Sequence, residues 1–123
     1  MLEFGLIILE VVGLWLFADF AGGLFHWAED TLGSAESPVW GRLFVRPNAI
    51  HHDKPTEMMK IHWFLNNIPI LAFTGLILAV AWLCDALTWQ VWTFCAIGCW
   101  NQQVHRFSHT PRHHLPELVK FLQ

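Results

Sequence analysis

The chain has 123 residues, of which 54% are hydrophobic and only 14% are charged. A soluble domain of this length has too much surface for its volume to bury so many apolar side chains, so the composition favours a protein that lies partly in lipid. The formal net charge of −3 gives no indication of a nucleic-acid partner.

The first predicted element is an apolar helix over residues 1–20, MLEFGLIILEVVGLWLFADF. Its length suits a membrane span, but Glu10 and Asp19 interrupt it, so a buried helix of a soluble bundle is the alternative. It lacks the basic residues and the cleavage site expected of a secretory signal peptide. Residues 21–31 are expected to continue or restart this helix until GSAESP ends it.

Residues 39–55 are expected to lie at the membrane surface. The stretch VWGRLFVRP alternates apolar residues with Arg42 and Arg46, which is typical of a short interfacial element. Arg46 is a candidate contact for a lipid phosphate, although a surface arginine whose stem covers apolar groups is the simpler interpretation. The next stretch, NAIHHDKP, is predicted to be a turn or the start of a helix.

Two more spans are predicted in the 45 residues between Lys60 and Arg106, where Asp85 is the only charged residue. Residues 66–84 and 86–104, at about 1.5 Å per helical residue, are each long enough to cross an apolar layer about 30 Å thick. Asp85 would then lie in the turn between them. The sequence therefore predicts an all-α integral membrane bundle with about three transmembrane helices and short interfacial helices.

This topology places residues 21–60 and 105–123 on one side of the membrane. All seven Lys and Arg residues lie in these segments, so the positive-inside rule predicts that this side is cytoplasmic. The eight histidines lie in or immediately beside the same segments: His26, His51, His52, His62, His105, His109, His113 and His114.

The spacing of these histidines suits metal binding. His105 and His109 are four residues apart, the spacing at which two imidazoles on one helix can bind one metal, and Asn101 lies four residues earlier on the same face. His51 and His52 would diverge by about 100° on a helix. Each can therefore serve its own metal in a two-metal site, or one can support the ligands.

Asp19, His26 and Asp30 fall along one stripe of a continuous helix. Asp30 is expected to orient the ring of His26 or His105, and Asp19 near the end of a span needs a partner or a metal. Imidazoles with carboxylates suit iron, zinc or manganese, and the scarcity of water at this depth favours oxygen chemistry over hydrolysis. No nucleophile elbow or glycine-rich phosphate loop is present.

Three stretches, ADFAGGLFHWAEDTLGS, VRPNAIHHDKPTEM and NQQVHRFSHT, resemble the successive boxes of the Kua family of lipid desaturases. This family includes plasmanylethanolamine desaturases and a plastid palmitate desaturase, and the resemblance runs from about Ala18 to Gln123. It implies a helical membrane enzyme that desaturates a fatty-acyl or plasmanyl alkyl chain. It also implies a histidine-bound di-iron centre, O₂ and two electrons from a carrier such as cytochrome b5 or ferredoxin.

The resemblance further implies which residues hold the iron. Its boxes assign as ligands His26, His51, His52, His105 and His109, with His62 as a weaker candidate and with Asp30 and Asn101 in support.

The end of the chain departs from the family pattern. Family members continue beyond the equivalent of LPELVKFLQ into a last box of the form H-x-x-H-H, and His113 and His114 come too early to be that box. We therefore expect one lipid-desaturase-like domain, residues 1–123, without the last histidine box. The family implies two irons, whereas one or none is compatible with this chain. A non-catalytic metal- or lipid-binding membrane protein is the alternative, and a structural membrane protein is another.

Overall fold

The computed structural model describes residues 2–57, 60–111 and 114. No strand occurs in these ranges, so the predicted all-α class is confirmed. The elements are helix α1 (Leu2–Thr31), one π-helical segment (Gly41–Val45), helix α2 (Arg46–Asp53), helix α3 (Trp63–Leu83) and helix α4 (Trp89–Ser108).

The structure resolves two alternatives that the sequence left open and confirms one predicted turn. α1 continues without a break through residues 21–31, where no proline interrupts it. NAIHHDKP is mostly helix, since α2 runs to Asp53. The turn between α3 and α4 contains Asp85, as expected, and its positive φ of 52° is tolerated better by aspartate than by most residues.

α4 lies between α1 and α3 and packs against both. Two hydrogen bonds between side chains connect the three helices. Gln90 Nε2 of α4 donates to Glu10 Oε2 of α1 at 3.2 Å, which gives the carboxylate inside the apolar helix a partner. Trp63 Nε1 of α3 donates to Gln103 Oε1 of α4 at 2.7 Å, so the start of α3 lies beside the end of α4.

The surface of the bundle is strongly apolar. α1 buries Ala18 and Glu29, while its large apolar side chains, such as Phe20 at 66% exposure, face outward. Within the described residues, α1 and α3 are the two helices long and apolar enough to cross a membrane. α4 is also long, but its last two turns are polar, so its crossing stays a prediction. The architecture is that of an all-α membrane bundle.

A tight corner positions α2 against α1. Gly41 is buried at the start of the π-helical segment, and a Cβ there would collide with Ser34 O and lie 2.6 Å from Ala35 O. Arg46 Nε donates to Ala35 O at 2.7 Å. Phe25 of α1 packs edge-on against Phe44, with ring centroids 5.6 Å apart. These contacts decide where the histidines of α2 lie.

Candidate metal centre

Three helices bring five histidines together at one end of the bundle. The ring centroids of His51 and His109 are 4.6 Å apart, and those of His26 and His105 are 6.4 Å apart. His26 lies on the last turns of α1, and His105 lies at the end of α4. The donor atoms in this cluster form two groups, each compact enough to hold a metal ion.

The first group, which we call the imidazole group, consists of His51, His105 and His109. One ligand atom from each residue lies within 4.8 Å of the other two. Nε2 of His51 and Nε2 of His105 are 3.0 Å apart. Two nitrogens bound at right angles to one metal, each at about 2.1 Å, would be about 3 Å apart, so this pair fits a shared ion.

The surroundings of His51 favour its neutral form. Burial is the main cause that lowers the pKa of His51 from 6.5 to about 4, and the nearby imidazoles of His105 and His109 act in the same direction. A neutral imidazole keeps a lone pair for a metal. Nδ1 of His51 is buried and has no hydrogen-bond partner among the described residues.

The second group, which we call the mixed group, consists of His26, Asp30 and His52, and its ligand atoms also lie within 4.8 Å of one another. Asp30 Oδ1 is 3.3 Å from His52 Nε2 and accepts a hydrogen bond of 2.6 Å from Nδ2 of Asn48, which is buried. The sequence suggested that Asp30 orients a ring. Its position among the donor atoms makes it a candidate ligand as well.

The division into two groups follows from the geometry of α2. His51 and His52 are neighbours on one short helix, so their side chains diverge by about 100°. His51 joins the imidazole group with residues of α4, and His52 joins the mixed group with residues of α1. The structure thus places the two histidines in different groups, and the interpretation that each serves its own metal stays a prediction.

Comparison with known proteins identifies the family. Residues 15–123 match the lipid desaturase domain. The chain belongs to the lipid desaturase domain family. Its relatives include plasmanylethanolamine desaturase 1 of Mus musculus, with 34% identity over 85% of this chain and 43% of the relative. No solved structure matches the chain.

Two further relatives extend the comparison across the family. The plasmanylethanolamine desaturase of Myxococcus xanthus is 35% identical over 89% of this chain and 41% of its own length. The chloroplastic fatty acid desaturase 4 of Arabidopsis thaliana is 33% identical over 89% of this chain and 34% of its own length. The chain thus spans less than half the length of these relatives, and the resemblance to lipid desaturases found in the sequence is confirmed.

Two of the predicted supporting residues of this lipid desaturase domain belong to neither ligand group and line a cavity instead. Asp19 and Asn101 line a cavity of about 350 Å³ between α1 and α4, and His105 of the imidazole group is also on its wall. Trp15 and Val104 supply apolar lining. The cavity therefore lies beside the imidazole group, with both polar and apolar side chains on its wall.

Other predicted residues lie outside the two groups. His62 is the N-cap of α3, where its Nδ1 accepts a hydrogen bond of 3.3 Å from the backbone N–H of Phe64. Arg46 uses its Nε to fasten the corner before α2, and its contact with a lipid phosphate stays a prediction. His114 belongs to neither group, and His113 lies outside the described residues.

Sequence reasoning missed two residues that contact the mixed group of this lipid desaturase domain. Glu29 is buried, and its Oε2 is 3.2 Å from Nδ1 of His26. Asn48 donates to Asp30. Helical spacing was the available signal, because Glu29 is three residues from His26 and Asn48 is four residues from His52.

Proposed function

We propose that this chain contains the metal-binding core of a membrane lipid desaturase that introduces a double bond into a fatty-acyl or plasmanyl alkyl chain. The observation that carries the proposal is that His51 and His52, adjacent on α2, belong to two different ligand groups. A two-metal centre needs such a division of ligands. Membership of the family, with relatives named for desaturating plasmanylethanolamine and fatty acids, supports the reaction class.

The donor set suits two irons. Imidazole nitrogens with a carboxylate are typical ligands of non-haem iron, and neither group contains a thiolate. Bound iron would supply the reduction of O₂, in which two chain hydrogens, two electrons and two protons yield one double bond and two waters. Three protein donors per group leave coordination positions for other ligands.

The cavity between α1 and α4 provides the route for the lipid chain. His105 lies on its wall, so a chain bound there would reach the imidazole group directly. The apolar side chains of Trp15 and Val104 can pack against methylene groups.

The side of the membrane is part of the same proposal. All seven Lys and Arg residues lie in the segments 21–60 and 105–123, and by the positive-inside rule this supports a cytoplasmic position for the histidine end. A carrier such as cytochrome b5 or ferredoxin would then deliver the two electrons from the cytoplasmic side.

Metal analysis with a lipid assay tests the proposal. The chain in lipid nanodiscs, loaded with Fe²⁺ without oxygen, is expected to bind two irons. After addition of O₂ and reduced carrier, mass spectrometry of supplied alkyl-ether and diacyl phospholipids is expected to show loss of two hydrogens from one class. His109→Ala should lower the iron content to one and abolish desaturation, because it removes one ligand of the imidazole group.

The matched control is His114→Ala, which changes a histidine outside both groups and should keep both irons and the activity. Wild-type protein that binds no iron would contradict the metal centre. Protein that binds two irons but leaves both lipid classes unchanged would contradict the desaturase assignment alone.

A further inference from the structure

Glu29 is a buried carboxylate whose role the ligand groups do not explain. It lies on the last turn and a half of α1 and is 8% exposed, whereas most side chains of this helix face outward. A carboxylate removed from water is costly unless a positively polarised group faces it. The partner that the structure provides is Nδ1 of His26, 3.2 Å from Glu29 Oε2.

This contact has a consequence for the chemistry of His26. A carboxylate oxygen 3.2 Å from Nδ1 favours the tautomer that carries the proton on this nitrogen, and the lone pair of the ring is then on Nε2. His26 is a member of the mixed group, and its Nε2 is then the nitrogen that is available to a metal.

The neighbouring carboxylate, that of Asp30, has different contacts. Asp30 is directed to His52 Nε2 at 3.3 Å and to Asn48 Nδ2 at 2.6 Å. Consecutive residues on a helix diverge by about 100°, so Glu29 and Asp30 contact different members of the mixed group, His26 and His52 respectively. Asp30 is itself one of the candidate ligands, whereas Glu29 contacts the ligand His26 without belonging to the group.

We propose that Glu29 is a positioning residue that holds His26 in the Nδ1–H tautomer and strengthens its Nε2 as a ligand of the metal in the mixed group. The inference rests on the proposed two-metal centre and adds a residue to it. The imidazole group provides a built-in contrast, because Nδ1 of His51 has no such partner among the described residues. Glu29 therefore acts on one metal of the pair.

Cobalt binding tests this inference without any lipid assay. The metal-free protein in nanodiscs is titrated with Co²⁺, whose visible absorption reports the ligand field, and the two affinities are obtained by competition with a chelator. Glu29→Gln retains a side-chain oxygen that can accept from Nδ1–H but loses the charge. We therefore expect Glu29→Gln to bind one Co²⁺ about 10-fold less tightly than the wild type. Glu29→Ala removes the acceptor and should weaken the same ion by about 100-fold.

The other Co²⁺ should keep its affinity in both variants, which a general loss of folding would not allow. The spectrum of the weakened ion should shift, because the ring of His26 is then free to change its tautomer and its orientation. Glu10→Gln is the matched control, since it makes the same change in the same helix but contacts Gln90 instead. Glu29→Asp, which keeps the charge on a shorter side chain, provides a second variant if Glu29→Ala does not fold.

Three results would overturn the inference. Unchanged affinities and spectra in Glu29→Gln and Glu29→Ala, relative to Glu10→Gln, would show that the contact with His26 is only structural. Complete loss of one ion in both variants, equal to that in His26→Ala, would make Glu29 a ligand. Wild-type protein that binds no metal would overturn the proposed function, and this inference with it, so the two failures are distinguishable.

Discussion

The imidazole group and the mixed group lie side by side but are built from different helices and different chemistry. The imidazole group joins α2 to α4 and offers three nitrogens, whereas the mixed group joins α2 to α1 and includes the carboxylate of Asp30. Glu29 adds a second carboxylate behind the mixed group. Two metals bound as we propose would therefore be inequivalent, one held by imidazole donors alone and one held with a carboxylate among its donors.

The comparison also shows how much depends on α2. This helix of eight residues supplies one histidine to each group, and no other described element does so. Changes to α1 or α4 should therefore affect one metal, and changes to α2 or to its support should affect both.

The largest effect should come from removing both histidines of α2. We expect the double variant His51→Ala, His52→Ala to bind no iron, because each group falls from three donors to two. His51→Ala and His52→Ala alone should each retain one iron. Iron content per chain, measured by elemental analysis, checks this. A single variant that loses both irons would show that the groups are not independent.

A smaller effect on both groups should follow from a change in the support of α2. Gly41→Ala places a Cβ against Ser34 O and 2.6 Å from Ala35 O, so the corner must move. Overpacking of this kind destabilises by about 1–3 kcal/mol. We expect a lower melting temperature and weaker binding of both irons. Gly75→Ala is the control, because its Cβ would meet nothing within 4 Å; equal effects of the two variants would contradict the role of the corner.

The smallest effect should be a pH dependence that belongs to the imidazole group. Because burial lowers the pKa of His51 from 6.5 to about 4, the unfolded chain takes up the proton more readily than the folded one. Metal-free protein should therefore lose stability as the pH falls from about 6.5 to about 4, and His51→Gln should make this decline shallower. Melting temperatures measured across this range check the prediction.

His62→Gln is the control for the pH series, because His62 caps α3 away from both groups. A decline that is just as steep in His51→Gln as in the wild type would show that other residues cause the pH dependence.

Local pattern was sufficient for much of the architecture. The apolar runs predicted α1 and α3, and Asp85 marked the turn before α4. The four-residue spacing predicted His105 and His109 on one helix, whereas α4 ends at Ser108 and His109 is its C-cap; the two ring centroids are nevertheless 4.8 Å apart. Such features depend on residues a few positions apart, and helical periodicity applies to them whatever the rest of the chain does. The three boxes were also sufficient to recognise the family.

The grouping of the ligands depended on the tertiary structure. Nothing in the spacing of His51 and His52 determines which of them faces α4 and which faces α1, because this follows from the corner at Gly41 and from the packing of helices distant in sequence. The same applies to the contact of Glu29 with His26 rather than with solvent, since its burial comes from neighbouring elements. Sequence alone determined the helices and the type of donor atoms, and packing decided which donors meet, because distances between elements are set by side-chain contacts that no local periodicity encodes.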